Sequence, residues 1–450
     1  MGHWRLRASL AAAGLTWTAI TAAQGAVKQA PTASCPENAG SAIAEVSCEI
    51  LAQLGPVPKG SLVVGAPLAS DAPTQDADGL ARRVAQVVAG RLQAEASPRL
   101  ASLAQARGLA ATRGWLVLVE PQLQNGRLRV VAQLHAVARG FWDRVREGNP
   151  GPSRHAFAER RIDLELRSFL PPVPLIAKRI DRIQTGEPNP VAIACGDTDG
   201  QGSQQLVVVG RHRVRIGRAR SGKLAESRSF AWADLSVLSR SPLREPIAGA
   251  VVRRGGLLDI GLSDRLDAVR LDATGRIVAR LGRSIPWGGG GCGHVLGISV
   301  EPVIGKCAPA DPVPQASQAP ANLDALAGAF VASKDGTRRV VRAGRRANTN
   351  TVDLFDDAGR RTQAKGIGAQ LAVADLDGDG EPELLGSADT LEAAADALVV
   401  RTWRTDGSMQ ERFRVPVATG VSAIGVCEAE GTAGMRPIVV ASAGEAWIIR

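Results

Sequence analysis

Acidic residues alternate with glycine in one short segment of the chain, DLDGDGEPE at 375–383. Hard oxygen ligands at alternate positions, with glycines that permit a tight turn, are what Ca²⁺ requires in proteins. The segment therefore predicts a structural calcium site; the alternative is a set of Asp/Gly turns satisfied by their own backbone. The side chains at positions 1, 3, 5 and 9 and the carbonyl at position 7 come from Asp375, Asp377, Asp379, Glu383 and Glu381.

Two further segments repeat this frame. VAIACGDTDGQGSQQLVVV at 191–209 aligns with LAVADLDGDGEPELLGS at 371–387, but Gln201 and Gln205 replace two carboxylates there, so we do not expect calcium in that copy. A third copy at 421–440 has lost the acidic pattern around Glu428 and Glu430. The segment at 375–383 resembles the calcium loops of FG-GAP/VCBS repeats, as in integrin-type propellers. The resemblance implies a β-propeller over roughly 190–450 with a structural metal.

A second element recurs further along each repeat, as a glycine-containing turn between two β runs. Successive turn glycines are spaced by about 50 residues, except for one longer interval, and a unit of about 50 residues with four short strands is a propeller blade. The alternative for weak β repeats is a β-sandwich. The long interval holds either a degenerate blade or a disulfide-closed insertion. The turn glycines are Gly222, Gly275, Gly359 and Gly407.

The last repeat holds about three strands, so the ring needs a fourth strand from elsewhere in the chain. PLIAKRIDRI at 174–183 fits this role, because its proline is confined to the start of the β run. We therefore expect about six blades, between five and seven.

Six cysteines invite disulfide bonds if the chain is exported. Two pairs are close in sequence, Cys35 with Cys48 and Cys292 with Cys307. Cys195 and Cys427 then remain, in the same frame of the first and last repeats. Because those repeats are neighbours in a closed propeller, we predict a ring-closing disulfide; the alternative is two buried thiols.

The amino-terminal part predicts a small α/β layer. SLVVGAPL at 61–68 is a strand, 79–92 and 98–111 have helical spacing, and WLVLVEPQLQ and RLRVVAQLHAV flank Asn125-Gly126, a strong hairpin signal. A charged helix is expected over 155–168. This order resembles the amino-terminal domain of TolB and related envelope proteins, which implies an envelope setting. The Ser-Pro-Asp-Gly turns of TolB-like propellers are absent from the sequence.

An arginine-rich strand and a glycine-rich loop have two interpretations each. RHRVRIGRAR at 211–220 places Arg211, Arg213 and Arg215 on one face, as a site for an anionic glycan or as a solvated face. WGGGGCG at 287–293 is a flexible binding loop or a connector anchored by its cysteine.

Composition and motifs limit the function classes. Aromatic residues are 3% of the chain and tyrosine is absent, which argues against a stacking platform for nucleic acid. The net charge of +10 permits acidic partners without demonstrating them. Since no P-loop, nucleophile elbow or paired-carboxylate constellation stands out, we expect a non-enzymatic, periplasmic or secreted scaffold that binds cell-envelope proteins, without a transmembrane anchor. The alternative is a secreted polysaccharide lyase or hydrolase.

The domain organisation expected from the sequence has three parts. Residues 1–26 form a signal peptide, 27–170 a TolB-like α/β domain, and 171–450 an FG-GAP/VCBS-like propeller. MGHWRLR is a basic start, ASLAAAGLTWTAITAA is a short apolar stretch, and small residues suited to cleavage follow.

Export generates the first testable prediction. Amino-terminal sequencing of the mature protein is expected to start between Gln24 and Val27, because cleavage follows the small residues after the apolar stretch. Recovery of intact Met1 in a soluble cytoplasmic pool would contradict export.

Overall fold

The computed structural model describes residues 41–140, 142, 145, 150–239, 246–288, 291–296, 299–303, 323–332, 338–347, 349–429 and 434–450. The predicted signal peptide lies outside these residues. No helix of the described part is long and apolar enough to cross a membrane.

The amino-terminal part is an α/β layer around one mixed sheet, in the strand order β3-β1-β4-β5-β6 with β2 beside β4. Its helices are α1 (Ala42–Leu54), α2 (Ala77–Leu92), α3 (Leu103–Leu109) and α4 (Leu164–Arg167). Its strands are β1 (Leu62–Gly65), β2 (Ala69–Ser70), β3 (Glu95–Ala96), β4 (Trp115–Gln124), β5 (Arg127–Ala136) and β6 (Arg154–Arg161).

Helix α2 shows why this layer forms. It buries an apolar stripe against the sheet, and the Asp76 side chain accepts the Gly79 N–H at 2.7 Å, which satisfies an open donor of the first turn. The predicted hairpin is confirmed: β4 and β5 pair throughout their length, and Asn125 and Gly126 have φ of 51° and 72°. The buried stripe consists of Leu80, Ala81, Val84, Ala85, Val88, Ala89 and Leu92.

The helix predicted over 155–168 is wrong. Half of this segment belongs to the edge strand β6, and only α4 is helical. Ala156 and Ala158 are buried while Phe157 between them is exposed, which is the two-residue period of a strand. The spacing of the charged residues suggested a helix, but hydrogen-bonded pairing with β5 over eight residues makes the segment a strand. Gln53 of α1 donates to the Phe157 carbonyl at 2.7 Å and accepts its N–H at 2.8 Å, which covers the outer edge of β6.

The described residues between 180 and 450 form a six-bladed β-propeller, which confirms the expected fold class. Blade 1 contains β8 (Pro190–Gly196), β9 (Gln205–Gly210), β10 (Arg213–Arg220) and β11 (Lys223–Ala231), followed by helix α5 (Trp232–Leu235). Blade 2 contains β12 (Ala248–Val252), β13 (Leu258–Leu262), β14 (Val269–Leu271) and β15 (Ile277–Arg280). Blade 3 contains β16 (Ser284–Pro286), β17 (Cys292–Leu296) and β18 (Ser299–Val303).

Blades 4 to 6 complete the ring. Blade 4 contains β19 (Leu323–Ala332), β20 (Arg338–Arg346), β21 (Thr351–Asp356) and β22 (Arg361–Lys365). Blade 5 contains β23 (Ile367–Ala374), β24 (Glu383–Ala388), β25 (Ala397–Trp403) and β26 (Met409–Pro416). Blade 6 contains β27 (Ala423–Val426), β28 (Ile438–Ser442), β29 (Glu445–Ile449) and, from before blade 1, β7 (Ile180–Gln184).

The repeats seen in the sequence correspond to blades. All four predicted turn glycines connect the third and fourth strands of a blade and have φ between 74° and 89°, a conformation that glycine adopts without a steric penalty. The long interval contains blade 3, which has three strands in its described part. The first strands of blades 1 and 2, 2 and 3, 4 and 5, and 5 and 6 contact one another around the axis, and β27 contacts β8.

Two devices close the ring between blades 6 and 1. The predicted closing strand is confirmed, because β7 pairs antiparallel with β29 over five residues. The predicted disulfide is also confirmed: Cys195 and Cys427 are bonded, with Cα atoms 4.8 Å apart. Cys48 and Cys292 are disulfide-bonded as well, while Cys35 and Cys307 lie outside the described residues.

The inner strands approach closely where the ring closes. A Cβ added to Gly425 of β27 would lie 2.7 Å from the Ile193 carbonyl oxygen of β8, so only glycine permits this contact. A buried apolar cluster fills the same junction, with Ile193, Val208, Val439 and Ile448 among its members. Apolar packing therefore stabilises the closure of the ring in addition to the disulfide and the strand pairing.

The segment between α4 and β7 contains no strand or helix, and the domain boundary at 171 stays a prediction. Val173 and Leu175 are buried in the apolar cluster shared with blades 5 and 6. The chain therefore packs on the propeller directly after Pro172.

Removal of the ring-closing disulfide is expected to destabilise the propeller. In the chain-entropy model a cross-link that spans 232 residues contributes up to about 5 kcal/mol. The double variant Cys195→Ser/Cys427→Ser should therefore unfold at lower urea concentration than the wild-type protein, with β7 pairing still intact. Equal midpoints, or two alkylatable thiols in native protein mapped without reductant, would contradict the covalent closure.

Candidate metal centre

The acidic segment is the loop between the first and second strands of blade 5. It follows β23 directly, and Glu383 is the first residue of β24. Gly378 and Gly380 have φ of 74° and 86°, so the chain can fold back within a few residues. This turn brings residues from both ends of the loop together.

Three carboxylates converge in this loop. One oxygen from each of Asp375, Asp377 and Glu383 lies within 4.8 Å of the others. Ca²⁺ binds its oxygen ligands at about 2.3–2.6 Å, so two ligands on opposite sides of the ion lie about 5 Å apart. Glu383 is fully buried, Asp375 is nearly so, and Asp377 is half-buried. The donor set is therefore hard, anionic and of a size that fits one such cation.

Backbone N–H groups hold all three of these carboxylates in place, and Asp377 accepts from Asp379 N at 3.2 Å. The two oxygens of Asp375 accept from Gly378 at 2.7 Å and from Gly380 at 3.1 Å. Glu383 accepts from Leu376 N at 2.7 Å and from Thr402 Oγ1 at 2.9 Å. Backbone-satisfied Asp/Gly turns, the alternative stated above, are thus present, and each carboxylate oxygen retains a second lone pair for a cation.

Burial and mutual repulsion raise the pKa values of the cluster. Burial, and then the charge of Asp379, raise the pKa of Asp375 to about 6. Burial and the charges of Asp379 and Asp375 raise the pKa of Asp377 to about 7. Burial and the charge of Asp377 raise the pKa of Glu383 well above its usual range. Full ionisation of the cluster is therefore costly, and a bound cation would offset that cost.

The two remaining predicted ligands have different positions. Asp379 is exposed and accepts the Glu381 N–H at 2.7 Å, while its charge acts on Asp375 and Asp377. The Glu381 carboxylate accepts from Thr405 N at 3.1 Å and Oγ1 at 2.9 Å and pairs with Arg404 at 3.2 Å. Although burial raises the pKa of Glu381, these contacts lower it overall. The sequence argument assigned its carbonyl, not its carboxylate, to the metal.

Residues from three other parts of the structure surround the loop. Arg339 of blade 4 donates to the Gly380 carbonyl at 2.6 Å, and Arg436 of blade 6 acts electrostatically on Asp375. From the α/β layer, Arg167 lies close to Gly378: a Cβ added there would be 3.2 Å from Arg167 Nε. The loop therefore lies where blades 4, 5 and 6 meet helix α4.

The corresponding loop of blade 1 has a different charge arrangement. Gln205 lies opposite Gly196 in the strand register of blade 1, and Glu383 lies opposite Ala374 in that of blade 5. The two loops therefore align residue by residue. Arg218 lies beside Gln205 and pairs with Asp199 at 3.2 Å. The loop also contains Asp197, which accepts from Gln201 N and Gly202 N. A guanidinium thus occupies the part of blade 1 that Thr402 occupies in blade 5.

In the described residues, the third copy of the acidic segment does not bring three carboxylates together, and neither does the arginine-rich strand β10. Glu428 forms an ion pair with Arg161 of the α/β layer, and Glu430 lies outside the described part. In β10, Val214 is buried, Arg213 is exposed, and Arg215 pairs with Glu226 at 2.6 Å. An anionic ligand for Arg211, Arg213 and Arg215 stays a prediction.

Sequence reasoning did not identify several groups around these loops. Arg218 and Thr402 become recognisable only once the repeats are aligned by strand register. Arg167 and Arg436 are distant in sequence from the acidic segment and gave no local signal.

No protein-family model matches the chain, and no curated protein matches it. Among solved structures, virginiamycin B lyase from Staphylococcus aureus is similar at a TM-score of 0.36 and 10% identity, covering 60% of this chain and 98% of the lyase. A DUF4221 member from Bacteroides vulgatus has a TM-score of 0.35 and 6% identity, with 62% and 97% covered. TolB from Acinetobacter baumannii has a TM-score of 0.28 and 13% identity, with 80% and 93% covered.

Proposed function

We propose that the protein is a non-enzymatic interaction scaffold of the periplasm or the cell exterior, and that its propeller presents a binding surface to a cell-envelope protein. The observation that carries this proposal is an exposed apolar cluster on a ring closed by both a strand and a disulfide. A surface held by such a frame can bind without a large ordering cost.

The cluster consists of Val237, Leu238 and Leu266, which are 67%, 50% and 44% exposed. The Leu266 N–H donates to the Val237 carbonyl at 3.0 Å, so two separate loops are fixed against each other. Val237 follows β11 and Leu266 follows β13, whereas the acidic loop follows β23. Since strand direction alternates within a blade, the cluster lies on the ring face opposite the acidic loop. Adjoining exposed apolar side chains are typical of protein-binding surfaces.

The disulfide bonds support an oxidising compartment. The Cys195–Cys427 bond links the two ends of the propeller, and Cys48 lies in the α/β layer with a disulfide of its own. Such bonds persist outside the cytosol. They agree with the signal peptide expected from the sequence.

We further propose that the blade 5 loop is an FG-GAP/VCBS-like calcium site and that the α/β layer is TolB-like. Asp375, Asp377 and Glu383 would hold the ion, with Asp379 and the Glu381 carbonyl as the further ligands expected from the sequence. Bound calcium would supply two positive charges that neutralise buried carboxylates, and its role would be structural.

Calcium is expected to stabilise protein that has first been stripped by a chelator. Binding to the folded state alone contributes about 2.7 kcal/mol at a concentration one hundred times Kd, which raises the Tm. Asp377→Asn should abolish the rise, and the matched variant Asp199→Asn in blade 1 should retain it. Absence of a rise in the stripped wild-type protein, or its persistence in Asp377→Asn, would refute the site.

The scaffold is tested by affinity capture from envelope extract with the mature protein as bait. We expect one stoichiometric protein partner, and loss of that partner in the variant Val237→Ser/Leu238→Ser/Leu266→Ser. Phe330→Ser provides a control, because Phe330 is 53% exposed on β19 of blade 4, whereas the cluster belongs to loops of blades 1 and 2. Turnover of a glycan panel without any captured protein would favour the polysaccharide-active alternative instead.

A further inference from the structure

The seam between blades 3 and 4 has an unusually small apolar core. Its cluster contains three fully buried members, Ile285, Val295 and Val300. The opposite side of blade 4, which faces blade 5, packs Val341, Leu354 and other residues into a much larger cluster. The side chains of Arg342 and Phe355 take up part of the seam instead.

Arg342 is a buried cation whose Nε has no hydrogen-bond acceptor among the described residues. It is 5% exposed, and its Nε is fully buried without a hydrogen-bond partner. Its guanidinium carbon lies 5.5 Å from the Trp287 ring centroid and 5.7 Å from that of Phe355. Across the described residues, no carboxylate or carbonyl lies within ion-pair or hydrogen-bond distance of this guanidinium. Two cation–π contacts are its attractive interactions.

Trp287 supplies a second donor in the same place. It is 3% exposed, and its indole Nε1 is buried without a partner. Its ring is fixed in position, because a Cβ on either Gly291 or Gly328 would overlap it. A rigid N–H donor and the guanidinium that lies over its ring therefore both have donor atoms without an acceptor in the described part of the chain.

Other buried or half-buried arginines of the propeller show what Arg342 lacks. Arg253 and Arg270 both bond to the buried Asp259 at 2.5 and 2.6 Å. Arg265 also lies over a tryptophan ring, but it donates to the Arg211 carbonyl at 3.1 Å. For Arg342, burial lowers the pKa and the charge of Asp357 opposes that effect without an ion pair. An unpaired buried guanidinium is costly, since its lost hydration is not replaced.

We propose that Arg342 and Trp287 form a binding site for a small oxyanion, a carboxylate or a phosphate group. The planar guanidinium offers paired N–H donors that match two oxygens, and the indole N–H offers a third. The aromatic walls exclude water, which strengthens each of these hydrogen bonds. The proposed oxyanion site shares no residue with the calcium loop or with the exposed apolar cluster. Its test is therefore independent of the tests of those two proposals.

The test is a titration of inorganic phosphate and of acetate, with ionic strength held constant by chloride. We expect a saturable rise in Tm with at least one of the two oxyanions. A rise with phosphate alone assigns a phosphate-bearing ligand, and a rise with acetate assigns a carboxylate. No saturable rise with either would overturn the proposal.

Variants distinguish this site from general anion effects. Arg342→Met should remove the rise and leave the fold at least as stable in chloride, because the unpaired charge is gone. Trp287→Phe keeps a ring but loses the donor, and should weaken binding about tenfold by calorimetry. Arg342→Lys keeps the positive charge but lacks the paired N–H donors of the guanidinium. This variant should still fold, and it should bind the oxyanion about tenfold more weakly.

The matched control is Arg265→Met, which removes another buried arginine over a tryptophan and should retain the rise. Persistence of the rise in Arg342→Met, or undiminished affinity in both Trp287→Phe and Arg342→Lys, would refute the assignment.

Discussion

The antiparallel pairing of β7 with β29 joins a strand that precedes blade 1 to the last strand of blade 6. All six blades depend on it, because a propeller without closure leaves an unpaired strand and an uncovered apolar face at each end. The disulfide between Cys195 and Cys427 secures the same junction nearer the axis. Since β7 also continues the segment that contains Val173 and Leu175, attachment of the α/β layer and closure of the ring involve the same short stretch of chain.

Charge is distributed differently in loops that share one backbone frame. In blade 5 three carboxylates converge beside Thr402, whereas in blade 1 Arg218 neutralises Asp199 from the equivalent strand position. The repeat therefore preserves the turn while the charge balance varies. The seam at Arg342 shows the opposite excess, a buried cation with no ion pair among the described residues. Local charge imbalance is what distinguishes these two places from the many arginine–carboxylate pairs elsewhere in the ring.

The sequence allowed prediction of features that arise from short-range chemistry. Asn125-Gly126 predicted a hairpin because few other dipeptides adopt two positive φ values. The recurring turn glycines predicted blades because most of them are spaced by about 50 residues. Cys195 and Cys427 were predicted to pair from repeat frame alone. The strand β6 was missed because pairing with β5 outweighs its helix-like charge pattern. Arg342 and Trp287 lie 55 positions apart in different blades. The glycine-rich segment at 287–293 was noticed in the sequence, but nothing there pairs it with Arg342, because their meeting depends on tertiary packing.

The order in which the closing strands are made has a kinetic consequence. Gln184 of β7 and Glu445 of β29 are 261 residues apart. At about 5–20 residues per second, translation would take roughly 10–50 s to supply the partner of β7 after β7 itself has been made. During that interval the nascent chain has an open strand edge that cannot yet be satisfied by its own sequence. Factors that hold new chains unfolded would therefore have most to protect at β7 throughout this interval, while the strands of blades 1 to 5 are still being made.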